Sequence, residues 1–97
     1  MVLTVKSVWL IRAKKDLERI YKYISIHFSD ELALTITDKL KAAVLYLESF
    51  PELGRKIGGQ FHSRYLIVDG NIIVYEIVLG KIPMVVIRNI RPRKNVT

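Results

Sequence analysis

Side chains able to handle a phosphodiester are concentrated in the second half of the chain, where Arg64 and Arg88 fall within apolar, β-branched runs and Lys56 and Arg91 lie close by in sequence. Metal-free cleavage of RNA needs cations for the crowded phosphate charge, a base for the 2′-hydroxyl and an acid for the leaving oxygen. Cations are plentiful: as strand residues, Arg64 and Arg88 are expected to project from an open sheet face. A solvated basic surface is the alternative reading for any one of them. Acid and base are scarcer. His62 is of the residue type suited to proton exchange near neutral pH, although a lone histidine in a loop is more often a surface residue. Tyr75 fits a core ring with a tethered hydroxyl better than an acid, and His27, beside Phe28, suits the carbonyls at a helix C-terminus. Arg55, in its Gly-Arg context, is expected to tie a loop to the sheet.

Other chemistries are excluded by what is missing. Cysteine is absent, which removes disulfides, thiolate metal sites and thiol catalysis. No GxGxxG, GxxxxGK or HExxH string occurs, so no cofactor and no metal is expected. Ninety-seven residues, 51% of them apolar, suit a single domain over 1–97. Sixteen basic against nine acidic side chains give +7 and make an acidic partner a serious candidate. That charge is uneven: residues 1–50 carry eight basic and six acidic groups, net +2, whereas residues 51–97 carry eight and three, net +5. The apolar start is interrupted by Lys6 and fits neither a secretion signal nor a membrane span, so a cytoplasmic protein is expected.

The elements that must position these groups follow from periodicity. Val2 to Leu10 alternates as a strand. From Arg12 the period changes: Leu17, Ile20, Tyr21, Ile24 and Phe28 form an apolar helical stripe opposite the basic stripe Arg12, Lys15, Arg19 and Lys22. Ser29 and Asp30 interrupt the chain, and Ala33, Ile36, Leu40, Val44 and Leu47 mark a second helix ending before Pro51. Phe50 to Gln60 has a loop composition. Arg64 to Asp69, Asn71 to Leu79 and Ile82 to Ile90 read as strands, the first two joined by hairpin chemistry at Asp69-Gly70-Asn71. The order β, α, α, β, β, β predicts an α+β fold: an N-terminal strand, an α-helical hairpin on one sheet face, then a C-terminal antiparallel β-meander.

Ala13-x-x-Asp16-Leu17-x-x-Ile20-x-x-Tyr23-Ile24, Phe50-Pro51-x-x-Gly54-Arg55, Arg64-Tyr65-Leu66-x-Val68, Ile73-x-Tyr75 and Ile87-Arg88-x-Ile90-Arg91-x-Arg93, in that order, resemble the RelE/ParE toxin superfamily of type II toxin-antitoxin modules. The resemblance covers nearly the whole chain and implies a cognate antitoxin as partner. It leaves two mechanisms on one fold. RelE-like members are ribosome-dependent endoribonucleases acting on mRNA; here that role would fall to Arg64, Arg88, His62 and Tyr75. ParE-like members poison DNA gyrase without cutting nucleic acid, and Phe50-Pro51-x-x-Gly54-Arg55 is more similar to that side. The segment Arg91 to Thr97 holds neither His nor Tyr, so a C-terminal general acid of the RelE-like kind is missing. Arginine stays protonated and makes a phosphate clamp, not a proton donor. A non-toxic RNA-binding protein on the same fold would carry the charge equally well. The expected target-binding set is Lys56, Arg64, Arg88, Arg91, Arg93 and Lys94, and the apolar positions Ile73, Val85 and Ile87 are expected to meet the antitoxin.

Overall fold

Punctuation by Ser29, Pro51 and the glycines divides the chain much as its periodicity implies. The computed structural model describes residues 4–93. Its order is β1 (Lys6–Trp9), α1 (Ile11–His27), α2 (Asp30–Ser49), a 3-10 turn at Pro51–Leu53, β2 (Arg55–Ile57), β3 (Gln60–Val68), β4 (Asn71–Val78) and β5 (Met84–Pro92). One five-stranded sheet runs β1-β5-β4-β3-β2, antiparallel except that β1 lies parallel to β5. The α+β architecture expected from the sequence is therefore present, with β1 added beside the last strand.

Each helix boundary has a local cause. Ser29 caps α2, its hydroxyl accepting the Leu32 amide at 3.0 Å, and Asp30 and Glu31 complement the helix dipole in the first turn. Ala33, Thr37, Leu40, Val44 and Leu47 are buried along α2. Thr37 joins that row beside Ile36, which packs on the core part-buried as expected, and satisfies its hydroxyl on the Ala33 carbonyl at 2.9 Å. In α1 the buried row is Ala13 and Asp16, with Leu17 and Ile20 packed on the core. Tyr21 and Phe28, expected in the apolar stripe, are instead exposed.

The helices cover one face of the sheet. Ala13, Leu40, Val44 and Leu47 meet Ile73, Tyr75 and Ile77 of β4 and Val85, Ile87 and Ile90 of β5. Each of the fully buried aliphatic side chains contributes about 2 kcal/mol of transfer free energy. The other face is uncovered, and on it lie Tyr65 and Ile67 of β3, paired directly with Val74 and Ile72 of β4.

The sheet departs from expectation in two places. Phe50 to Gln60, read as a loop, contains β2: Gly58 and Gly59 both adopt positive φ, +59° and +77°, and turn the chain so that Arg55 pairs with Tyr65 and Lys56 with Arg64. Three residues are too few to show a period. The last strand, expected over Ile82 to Ile90, begins at Met84 and continues through Pro92, so Arg91 is a strand residue. Asp69 and Gly70, at φ of 47° and 76°, form the two-residue hairpin turn that Asp-Gly announces.

Candidate functional site

The expected site residues divide between the two sides of the sheet, and alternation along the strands decides which goes where. Arg64 pairs with Tyr75, and both point to the helix-covered side. Arg64 is only 5% exposed, so it does not project from an open face. Its Nε donates to the Phe61 carbonyl at 2.9 Å, and its Nη1 donates to the carbonyls of Glu52 at 3.1 Å and Gly54 at 2.9 Å. The guanidinium also lies over the Phe61 ring, with Cζ 4.8 Å from the centroid. Its five fixed donors let one side chain collect carbonyls from three directions. Arg64 thus performs the loop-tying role expected of Arg55, whose own side chain is exposed.

Tyr75 completes the same lock. Its hydroxyl donates to the Pro51 carbonyl at 2.7 Å and accepts the Gly54 amide at 2.8 Å. Burial pushes the phenol above its ordinary pKa, against the opposing pull of the Gly54 amide and the Arg64 charge. A Cβ on Gly54 would fall 2.6 Å from the Tyr75 hydroxyl oxygen and 2.7 Å from the Tyr65 carbonyl, so only glycine fits. The string Phe50-Pro51-x-x-Gly54 is therefore a mould for two buried polar side chains. Arg64 and Tyr75 lie together, but both are committed to the fold.

The antitoxin positions Ile73, Val85 and Ile87 need correction as well. All three are 0% exposed and face the helices, which leaves no surface for a partner to touch. A one-residue shift in the alternation separates the two faces: Ile72, Val74 and Val86 occupy the uncovered side, half-buried.

Arg88, Arg91 and Arg93 remain exposed. Arg88 is the extra residue of a β-bulge, since Tyr75 pairs with Ile87 and Val74 with Asn89; its Nη1 meets Glu76 at 2.6 Å. Arg91 sits opposite Ile72, and with Arg93 and Lys56 it rims a groove of about 450 Å³ floored by Tyr65, Ile67, Ile72 and Val74. His62 is exposed, its ring edge-on to Phe61 at 5.1 Å. Lys94 lies outside the described residues. The groove couples an apolar floor to arginine, a layout for binding an anion-bearing surface. Among the described residues, no three His, Asp or Glu side chains gather as a metal site, and no helix is long and apolar enough to cross a membrane.

One buried group escaped the sequence reading. Asp16, which enters there only as part of the helix motif, is 5% exposed; its Oδ2 accepts the Ile90 amide at 3.0 Å and its Oδ1 accepts from Arg19 at 3.0 Å. β1 ends opposite Ile87, so β5 continues beyond its neighbour, and Asp16 satisfies a main-chain donor that the missing strand would have taken. A lone acid among the apolar positions of a helix was the available signal.

A family model described as ParE toxin of type II toxin-antitoxin system, parDE, matches residues 8–96. Among solved structures, the chain is similar to one of the chromosomal ParDE TA system from P. aeruginosa, at 21% identity and a TM-score of 0.76, over 94% of this chain and 98% of that one. At that identity the likeness attests the fold. No curated protein matches the chain.

Proposed function

Since this chain belongs to the ParE toxin family of type II toxin-antitoxin systems, we propose that it arrests growth by binding DNA gyrase, that it cuts no nucleic acid, and that a cognate antitoxin neutralises it. The observation carrying the choice is the placement of the candidate catalytic groups. Arg64 and Tyr75, the strand residues that a nuclease would use, hold the Pro51–Gly54 turn with their polar atoms. What lines the groove is Arg91 and Arg93, with Lys56 at its rim, cations suited to binding charge. Binding is within reach of such a surface, whereas acid-base cleavage would fall to His62, which is exposed but is not among the described residues lining the groove. Arg88 lies on the same side and belongs to the target-facing set, with its charge partly compensated by Glu76. The reading places the protein in the cytoplasm with gyrase and requires neither cofactor nor metal.

The test is a matched pair of assays. Purified protein should inhibit gyrase supercoiling and leave mRNA intact in a ribosome programmed with a defined A-site codon. Cleavage in the second assay without inhibition in the first would replace this reading with a ribosome-dependent endoribonuclease.

A further inference from the structure

We infer that the antitoxin segment that silences this chain is an acidic, amphipathic helix lying face-on across the uncovered side of the sheet, over Tyr65, Ile67, Ile72 and Val74. The inference rests on the toxin reading above and adds the seat, the chemistry of the occupant and the means of neutralisation.

Size does not single out this groove, but charge does. Among the described residues, three grooves of similar size, about 480, 470 and 450 Å³, can be compared. The first, between the helices and β1, mixes Lys14 and Lys41 with Glu18. The second, between α1 and the β3–β4 turn, mixes Arg19 with Asp16 and Asp69. The third, on the uncovered face, is lined by Lys56, Arg91 and Arg93 with no carboxylate among its described lining residues. An acidic partner is favoured most there, less at the first groove, where one carboxylate offsets two lysines, and is opposed at the second, where two carboxylates face one arginine.

The sheet edges explain why the partner comes face-on and not as an added strand. On β1, the Glu48 carbonyl accepts the Val5 amide at 2.8 Å and the Glu48 carboxylate accepts the Ser7 amide at 3.1 Å and the Ser7 hydroxyl at 2.7 Å. On β5, beyond the end of β1, Asp16 takes the Ile90 amide. Two acidic side chains thus occupy the donors an incoming strand would need. The opposite edge, β2, is three residues long, carries a register shift and displays Arg55 and Lys56, features by which sheets resist pairing. The apolar floor spans two residues on each of two strands, roughly 7 Å by 5 Å, a footprint that one to two turns of helix can cover. A helix there also lies over Arg91 and Arg93. Target and antitoxin would then exclude each other by occupying the same arginines.

An amide-resolved NMR titration of the whole protein tests this with a defined probe: a capped synthetic helix of about 14 residues, leucine along one face and glutamate beside it. Shifts are expected at Tyr65, Ile67, Ile72, Val74 and Arg91. Ile67→Thr, at a position 42% exposed, and, separately, Arg91→Glu should each weaken binding at least about tenfold with the melting temperature held, and a probe with lysine in place of glutamate should not bind. Shifts centred on Trp9 and Lys41, shifts confined to β2, or no saturable shift by about 1 mM would overturn the inference. Growth arrest is read separately. A protein that arrests growth yet ignores the probe loses this inference alone, whereas one that binds the probe at the expected residues without arresting growth loses the toxin reading.

Discussion

Replacing Arg64 separates a structural arginine from a target-binding one. In Arg64→Ala the carbonyls of Phe61, Glu52 and Gly54 each lose a donor, and the guanidinium no longer covers Phe61. A charged hydrogen bond contributes about 1.5 to 3 kcal/mol, and three in one network do not add fully. Glu52 is well exposed and its carbonyl can turn to water, which offsets part of the loss. The expected destabilisation is about 3 to 4 kcal/mol, out of a total of roughly 5 to 15 kcal/mol for a domain of this class. At about 4 to 8 °C per kcal/mol, the melting temperature should fall by at least about 12 °C. Arg64→Lys should recover less than half, because an ammonium cannot span three carbonyls as a planar fork does. Urea unfolding with an unchanged m-value measures the effect, and Arg88→Ala is the control: an exposed ion pair with Glu76, expected to cost no more than about 0.5 kcal/mol. An Arg64→Ala protein destabilised by less than about 1 kcal/mol would refute the assignment. So would loss of growth arrest at native stability, which would put this guanidinium on the target.

Four further outcomes concern Tyr75, Asp16 and the exposed arginines. Tyr75→Phe leaves the Gly54 amide and Pro51 carbonyl without their shared partner and should cost about 2 kcal/mol in chemical denaturation. Because the folded phenol has a pKa raised above the ordinary value of 10.0, its contribution is complete below that pH and is lost as pH rises through the folded pKa; wild-type stability should therefore fall more steeply than that of Tyr75→Phe in alkaline titration. Asp16→Ala strands the Ile90 amide and should cost about 2 to 3 kcal/mol, with hydrogen exchange at Ile90 accelerating more than at Ile77. Arg91→Glu with Arg93→Glu should abolish growth arrest while moving stability by no more than about 0.5 kcal/mol per site, and retained arrest in a plate assay would shift the target surface to the helices.

Much of the fold is legible because its signals are periodic. The α2 row from Ala33 to Leu47, the Ser29 cap and the Asp69-Gly70 turn each follow a local rule and stand where the rule puts them. The site is less legible, because it depends on which way a strand faces. Ile73, Val85 and Ile87 are as apolar as Ile72, Val74 and Val86, and composition cannot say which row meets the helices. Alternation fixes the faces only relative to each other. Arg64 misleads for a similar reason: an arginine in a strand normally reaches for water, and only the folded turn at Pro51–Gly54 presents the carbonyls that make burial tolerable. Asp16 and Glu48 act on partners far away in sequence, at Ile90 and Ser7, so no window of neighbouring residues contains their role.

The parallel seam between β1 and β5 joins Lys6–Trp9 to Met84–Ile87, nearly the full span of the described chain. Such a contact closes the longest loop available and comes late in any route that forms local hairpins first. A nascent chain can therefore assemble its helical hairpin and the β3–β4 ribbon while still attached to the ribosome, yet it cannot finish the sheet until β5 has been made. The arginines of β5 belong to that same last strand. Translation thus imposes a delay: the surface that carries the proposed toxicity becomes ordered only when the fold closes, and an antitoxin synthesised alongside has that interval in which to be waiting.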